Sequence, residues 1–583
     1  MKVLGVALLA LSTLFHGTVR ADAASDFRAL LDEHWEWQLA ASPVRASMLG
    51  DRRYNSDWTD NSLDAIETRH RETREFLRRV YAIERTTLPE SEQLNYELFR
   101  RQLQDEVDKH QFQAYLLPFS HQGGIQSLPN ITNQLRLTTL QDYEDWLARL
   151  GKIDTLIDEQ IALAEAGRKA GLTAPRVLME RVMPQISQQL VDNADESPFY
   201  GVFETLPNSI LAEDQERLRA EAVDTIEKTV LPAYRKLDRF FTQKYLPACR
   251  ESIGLSELPN GSAWYEHRAR SYTTTRMAPD DIHRLGLEEV KRIRGEMQAI
   301  IEEVEFDGSF EEFLAFLRTD PQFYYEDPEE LLEAYRATSK RIDPELVKLF
   351  GVLPRMPYGV TPIPDSIAPF TTTAYYSRPA ADGSRAGTYW VNLYKPEVRP
   401  RYEIEVLTVH EAMPGHHLQI ALQQELGEMP MFRRFQGFTA FVEGWALYSE
   451  RLGYDLGLYE DPYSRFGQLT YDMWRAVRLV VDTGMHYKGW TRQQAIDFFK
   501  DNAAKTEHDI VNEIDRYIDW PGQALAYKIG QLKILTLRER AERRLGSDFD
   551  IRAFHDELLG GGALPLDILE QRMDTWLATY LDE

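Results

Sequence analysis

The chain has 583 residues, 43% of them hydrophobic and 27% charged, so it carries enough apolar material to build a sizeable core. Its formal charge of −26 argues against nucleic acid or an anionic membrane surface as partners. The single cysteine, Cys249, excludes an intrachain disulfide and any metal site built on paired thiolates.

At the N-terminus, Lys2 precedes an apolar run over residues 3–15 and small residues at Ala21 and Ala23. That run is too short to span a bilayer and predicts a cleaved secretory signal over 1–23. No cysteine lies nearby to accept a lipid, so the expectation is a periplasmic or secreted protein without a membrane anchor. From Asp26 to about Arg250 the apolar residues recur at helical spacing. Tyr143, Trp146, Leu150, Ile153, Ile157, Ile161 and Ala164 fall at steps of three and four and predict one helix ending near Gly167 or Gly171. Similar patterns over 27–39, 68–83, 91–107 and 212–241 predict a helical array.

A soft boundary near residue 255 separates a helical scaffold half, 24–255, from a catalytic half, 256–583. No low-complexity linker marks it, so the halves are expected to pack as one body. Ser271 to Thr275 reads as a short strand, and Pro279 opens a helix with Ile282, Gly286, Val290, Ile293, Met297 and Ile300 on one face. Between 351 and 400, Pro354, Pro357, Pro362, Pro364, Pro369 and Pro379 exclude long helices. There 369–376 and 387–394 read as the strands of an antiparallel hairpin.

The run His410-Glu411-Ala412-Met413-Pro414-Gly415-His416-His417, followed by Glu443-Gly444-Trp445-Ala446, concentrates the chemistry of a zinc site. A hydrolytic zinc typically takes two imidazoles and a carboxylate, acidifies a water in its remaining position and uses a nearby carboxylate as proton acceptor. His410, Glu411, His416 and Glu443 are residues of those kinds. On a regular helix His416 lies about 600° round from His410, and His417 lies roughly 10 Å further along the axis, so neither shares one ion with His410 unless the helix is distorted. Pro414 and Gly415 supply a kink or bulge in a helix expected from about Ile404 to Leu426. The choice between His416 and His417 stays open on spacing alone. Glu450, two turns beyond Glu443, is an acceptor for the second nitrogen of a ligating histidine, or a rival ligand.

His-Glu-x-x-Pro-Gly-His followed by Glu-Gly-Trp-Ala resembles the bacterial family called domain of unknown function 885, over almost the whole mature chain. More distantly it resembles the helical zinc peptidases that include thimet oligopeptidase and angiotensin-converting enzyme. Setting Gly415-His416-His417-Leu418 against the Gly-His-x-Leu of the oligopeptidases places His416 as the second ligand, ahead of His417.

The resemblance implies a mainly helical zinc-peptidase fold with a deep cleft and a small antiparallel sheet beside the metal helix. It implies one zinc ion on His410, His416 and Glu443, and Glu411 as the base. A substrate strand would run over 387–394, bringing Tyr389 and Asn392 to the peptide, although a hairpin that only covers the core fits as well. Downstream, Arg475, Arg478, Asp482 and His486 share one helix face. His486 and Tyr527 are assigned to the active site, Arg478 and Tyr517 to substrate, and Asp482 with Glu450 to the layer behind the ligands. The function expected is an exported zinc metallopeptidase acting on short peptides, with no oligomeric state implied. A zinc hydrolase of other amides or esters, and a binding protein without catalysis, use the same residues.

Overall fold

The computed structural model describes residues 4–365, 368, 372–380, 383 and 385–580. It falls into two compact units. One comprises Met1–Ser252 with Leu258–Asn260 and Pro430–Phe432, and the other Ile253–Glu257, Gly261–Met429 and Arg433–Glu583. Among the described residues no helix is long and apolar enough to cross a membrane.

The first unit is helical. Its opening helix α1 (Leu4–Ala41) includes most of the stretch read as a leader, whose first three residues lie outside the described ones. α1 packs through Phe27 on Tyr96 and Phe99 of α3 (Glu90–Lys109), and through His34 on Phe76 of α2 (Leu63–Tyr81). The helix expected across Tyr143 to Ala164 is two, α4 (Leu140–Leu150) and α5 (Ile153–Ala170), because the chain breaks at Gly151-Lys152 without losing its apolar phase. Thr139 caps α4, accepting from the Asp142 amide while Asp142 accepts from the Thr139 amide at 2.8 Å. α6 (Ala212–Thr225) continues through two π-helical turns, Ile226–Val230 and Phe241–Tyr245, each followed within two residues by a proline that removes an amide donor.

The second unit starts with α7 (Gly261–Thr273), which absorbs most of the predicted strand at Ser271: the Thr273 hydroxyl donates to the Ala269 carbonyl and stays within helical bonding. α8 (Pro279–Glu303) runs tightly against the buried α12 (Pro462–His486); a Cβ at Gly286 would lie 2.7 Å from the Leu479 Cβ. Three strands, β1 (Tyr358–Pro362), β2 (Ala374–Ser377) and β3 (Gly387–Val391), form a sheet in the order β1-β3-β2. β2 and β3 are the expected antiparallel pair, but β1 joins β3 in parallel, so the sheet is mixed and β3 is its centre. Pro362 closes β1 on an outer strand, where a missing amide costs no ladder bond.

After the sheet come α9 (Ile404–Glu411), α10 (His416–Glu425) and α11 (Thr439–Asp455). Beyond α12 lie α13 (Glu507–Asp519), α14 (Ala526–Leu545) and α15 (Ile551–Gly560). α11 and α14 cross at glycines: a Cβ on Gly444 would lie 2.5 Å from the Gly530 Cα. The fold is thus mainly helical with one small mixed sheet.

Candidate metal centre

The helix expected to run through Pro414 with a kink is instead two helices. α9 ends at Glu411, the chain leaves helical geometry at Ala412 (φ −100°, ψ −108°) and Gly415 (φ −72°, ψ −125°), and α10 begins at His416. The Met413-Pro414 peptide in this turn is cis. A Cβ on Gly415 would collide with the carbonyl oxygens of Val409 and His410, so only glycine lets the turn fold back this closely. From α11, the Trp445 indole N–H donates to the Pro414 carbonyl at 2.9 Å and ties the turn to the helix that carries Glu443.

This turn brings His410, at the end of α9, beside His416, at the start of α10, with ring centroids 4.9 Å apart. Glu443 Oε2 lies 3.5 Å from His416 Nε2 and 3.9 Å from His410 Nε2. One donor atom from each residue lies within 4.8 Å of the others. Ligands about 2.1 Å from a tetrahedral ion stand roughly 3.4 Å apart, so the set fits zinc after a small contraction. Exposure rises outward, from 3% for the His410 side chain to 12% for His416 and 21% for Glu443, leaving one open side.

Behind the cluster, Glu450 Oε1 is 2.8 Å from His410 Nδ1. Burial pushes the Glu450 carboxyl up to about 8 and holds His410 well below the usual imidazole value, and a metal at Nε2 would favour the state in which the Glu450 carboxylate accepts the proton carried by Nδ1. With it on Nδ1, the Nε2 lone pair faces His416 and Glu443. Burial also opposes charge on His416, but the Glu443 carboxylate outweighs it and holds that imidazole above its usual value. Glu443 is itself held low: burial acts against it, and His416, then Arg478 and Arg516, prevail.

His417 is turned away. Its Nε2 donates to the Met356 carbonyl at 2.9 Å and its Nδ1 accepts from the Tyr376 hydroxyl at 2.8 Å, which leaves no nitrogen for an ion. Gly387 makes room for this pair, since a Cβ there would lie 2.7 Å from His417 Nδ1. Glu411 follows His410 directly. Burial pushes its carboxyl up to about 6 against the pull of His416, and the Tyr376 amide of β2 is among the groups that stabilise its charge.

Several residues expected to meet substrate or serve the reaction are engaged within the protein itself. β3 has partners on both sides, so it offers no free edge to a peptide. Tyr389 points into the core, packed edge-on against Tyr335 at 5.8 Å. Asn392 is fully buried and donates to the Ala368 and Thr372 carbonyls, holding a loop and not a substrate. His486 is also fully buried; Nδ1 accepts from the Leu255 amide and Nε2 donates to the Tyr517 carbonyl, so both nitrogens serve the backbone. Asp482 accepts from the Tyr265 hydroxyl and the Gly522 amide, and it contacts no candidate ligand.

Arg478 and Tyr517 bond to each other, with Nε donating to the hydroxyl at 2.7 Å. The Tyr527 hydroxyl accepts from Arg516 at 3.3 Å and Gln523 at 3.4 Å, and its ring lies 4.3 Å from the Arg478 guanidinium.

The family described as "Bacterial protein of unknown function (DUF885)" matches residues 43–573. The chain belongs to DUF885. Two solved structures share its fold. A "putative lipoprotein" from Colwellia psychrerythraea is 31% identical, with a TM-score of 0.89 over 96% of this chain and 99% of that one. A second putative lipoprotein, described as of unknown function and from Shewanella oneidensis, is 19% identical, with a TM-score of 0.74 over 93% and 98%; at that identity the likeness is one of fold. No curated protein matches the chain.

In this DUF885 chain, sequence reasoning gave no site role to Tyr376, Glu513 or Arg516. Arg475 carried a signal, since it shares the helical face of Arg478; its Nη2 lies 3.7 Å from Glu450. Glu513 and Arg516 sit three apart on α13, a spacing equally common in solvated pairs, and nothing local marks them.

Proposed function

We propose that the chain is an exported zinc-dependent metallopeptidase that hydrolyses short peptides, and the convergence of His410 Nε2, His416 Nε2 and Glu443 Oε2 beside Glu411 carries this reading. Two neutral imidazoles and a carboxylate are the donor set that hydrolytic zinc favours. A zinc ion held by His410, His416 and Glu443 supplies a Lewis acid that polarises the substrate carbonyl and acidifies water.

The protein's own groups then handle protons and position. Glu411 accepts the proton of the attacking water on its carboxylate and passes it to the leaving amine. A general base works best with a pKa near the working pH, and burial moves this one up to about 6. Glu450 holds His410 through Nδ1, fixing which nitrogen faces the ion. Tyr527 directs its hydroxyl toward a developing oxyanion, while Arg516 and Gln523 donate to its oxygen. An extended peptide would pair with an outer strand, β2 being the one whose Tyr376 lies against Glu411, in place of β3. Export to the periplasm is supported by the apolar N-terminal run and by the lipoprotein descriptions of the two relatives.

Mass spectrometry of purified protein gives the first test. About one zinc per chain is expected, retained in Glu411→Gln and lost in His410→Ala and Glu443→Ala. Peptide cleavage in Glu411→Gln should fall by about 10²- to 10⁴-fold. A wild-type chain that takes up no divalent metal under any loading condition would overturn the reading.

A further inference from the structure

The Tyr376 amide of β2 donates to the Glu411 carboxylate. β2 is four residues long and lies at the edge of the sheet, bonded to β3 on one side only. So short an outer strand is held by few ladder bonds, and the aim of its free amide depends on what else fixes the strand. The Tyr376 side chain supplies that contact, with its hydroxyl 2.8 Å from His417 Nδ1. His417 meets it in one tautomer: the Met356 carbonyl, 2.9 Å from Nε2, only accepts, so Nε2 carries the proton and Nδ1 accepts from Tyr376. The bond passes over the first residue of β3, where a Cβ on Gly387 would collide with the Tyr376 hydroxyl and lie 2.7 Å from His417 Nδ1. Glycine keeps that passage open. The Tyr358 ring of β1 packs on the imidazole, with centroids 4.9 Å apart. His417, fully buried and bonded at both nitrogens, therefore joins both outer strands to α10, the helix that begins at the candidate ligand His416.

We propose that His417 is a positioning residue for the reaction: through the Tyr376 hydroxyl it fixes β2 against α10, so that the Tyr376 amide holds the Glu411 carboxylate where it meets the attacking water. This rests on the peptidase reading above. His417 touches neither ion nor substrate and acts only through the strand. The bond matters because a proton acceptor misplaced by about 1 Å costs on the order of 10²-fold in rate. One helical start thus serves twice, with His416 offered to the ion and His417 spent on the strand that holds the base.

The two bonds of His417 can be separated. His417→Asn keeps an acceptor near the place of Nδ1 and loses the Met356 bond, whereas His417→Gln keeps a donor near the place of Nε2 and loses the Tyr376 bond. Tyr376→Phe removes the hydroxyl alone and, at a partly buried position, keeps the test sound if a His417 variant does not fold. The substrate is a tetrapeptide picked from a randomised library by cleavage with the zinc-loaded wild-type chain. In Tyr376→Phe and His417→Gln, kcat should fall by about 10- to 100-fold while KM and zinc content stay at the wild-type level. His417→Asn should keep kcat near wild type, and the Tyr376→Phe, His417→Gln double variant should be no slower than either single one, because both changes remove the same bond. Wild-type kcat in Tyr376→Phe, even with a lowered urea midpoint, or equal losses in His417→Asn and His417→Gln, would overturn the positioning role and leave the peptidase reading standing. A wild-type chain that cleaves no peptide of the library would overturn both.

Discussion

His410 shows how one contact sets the chemistry of a residue. A buried imidazole can ligate a metal only if it is neutral and presents the correct nitrogen, and the Glu450 contact at 2.8 Å secures the second condition while burial secures the first. Removing that acceptor as Glu450→Ala should weaken zinc binding by about 10- to 100-fold, measured by competition with a chelator. Affinity unchanged within error would mean that Glu450 plays no part in orienting the ligand. His417 makes the converse point: the same side chain, one residue after a candidate ligand, is spent on the Tyr376 hydroxyl and the Met356 carbonyl.

Helix crossings in this chain depend on glycine where backbones meet. At the α11 and α14 contact, a Cβ on Gly530 would collide with the Ala440 carbonyl and lie 2.7 Å from the Gly444 Cα, next to Glu443. Gly530→Ala should therefore destabilise by about 1 to 3 kcal/mol, since overpacking forces the helices apart. Gly295 on α8 is the control: it is exposed and a Cβ there meets nothing within 4 Å, so Gly295→Ala should stabilise by about 0.5 to 1 kcal/mol. Urea midpoints of the two variants moving in the same direction would contradict this account of the crossing.

Acid stability of the second unit depends on a histidine that no reaction needs. His555 is fully buried, accepts from the Tyr448 hydroxyl and donates to the Leu349 carbonyl, and burial pushes it down to about 3 from its ordinary 6.5. The folded value is the lower one, so the unfolded chain takes up the proton first. Stability from this residue is complete above pH 6.5 and is lost as pH falls from 6.5 toward 3, by about 1.4 kcal/mol per pH unit. Urea unfolding at pH 6.5 and 5 should differ by on the order of 2 kcal/mol more in wild type than in His555→Gln. Parallel acid limbs in the two proteins would show that other groups govern the loss.

Local periodicity and residue chemistry reach far in this chain. Steps of three and four predicted the helices over 68–83 and 91–107 to within a turn or so of α2 and α3, the prolines after 351 excluded long helices, and the β2-β3 hairpin was legible from its apolar, β-branched runs. His410 and Glu443 were selected from ligand type, the Pro-Gly break and spacing, whereas His416 was preferred to His417 only through the resemblance to the oligopeptidase motif.

Long-range hydrogen bonding decided the rest. β1 takes the flank of β3 through bonds that no residue of β3 announces, and that denies β3 the free edge a peptide would need. The turn at Ala412 to Gly415 is an interruption and not a kink, because the Trp445 indole of another helix holds it. His486 looks like a catalytic histidine until Leu255 and Tyr517 are found bonded to its two nitrogens. A side chain's type and spacing are written locally, but a polar atom's availability depends on which distant backbone group folding brings within about 3 Å of it.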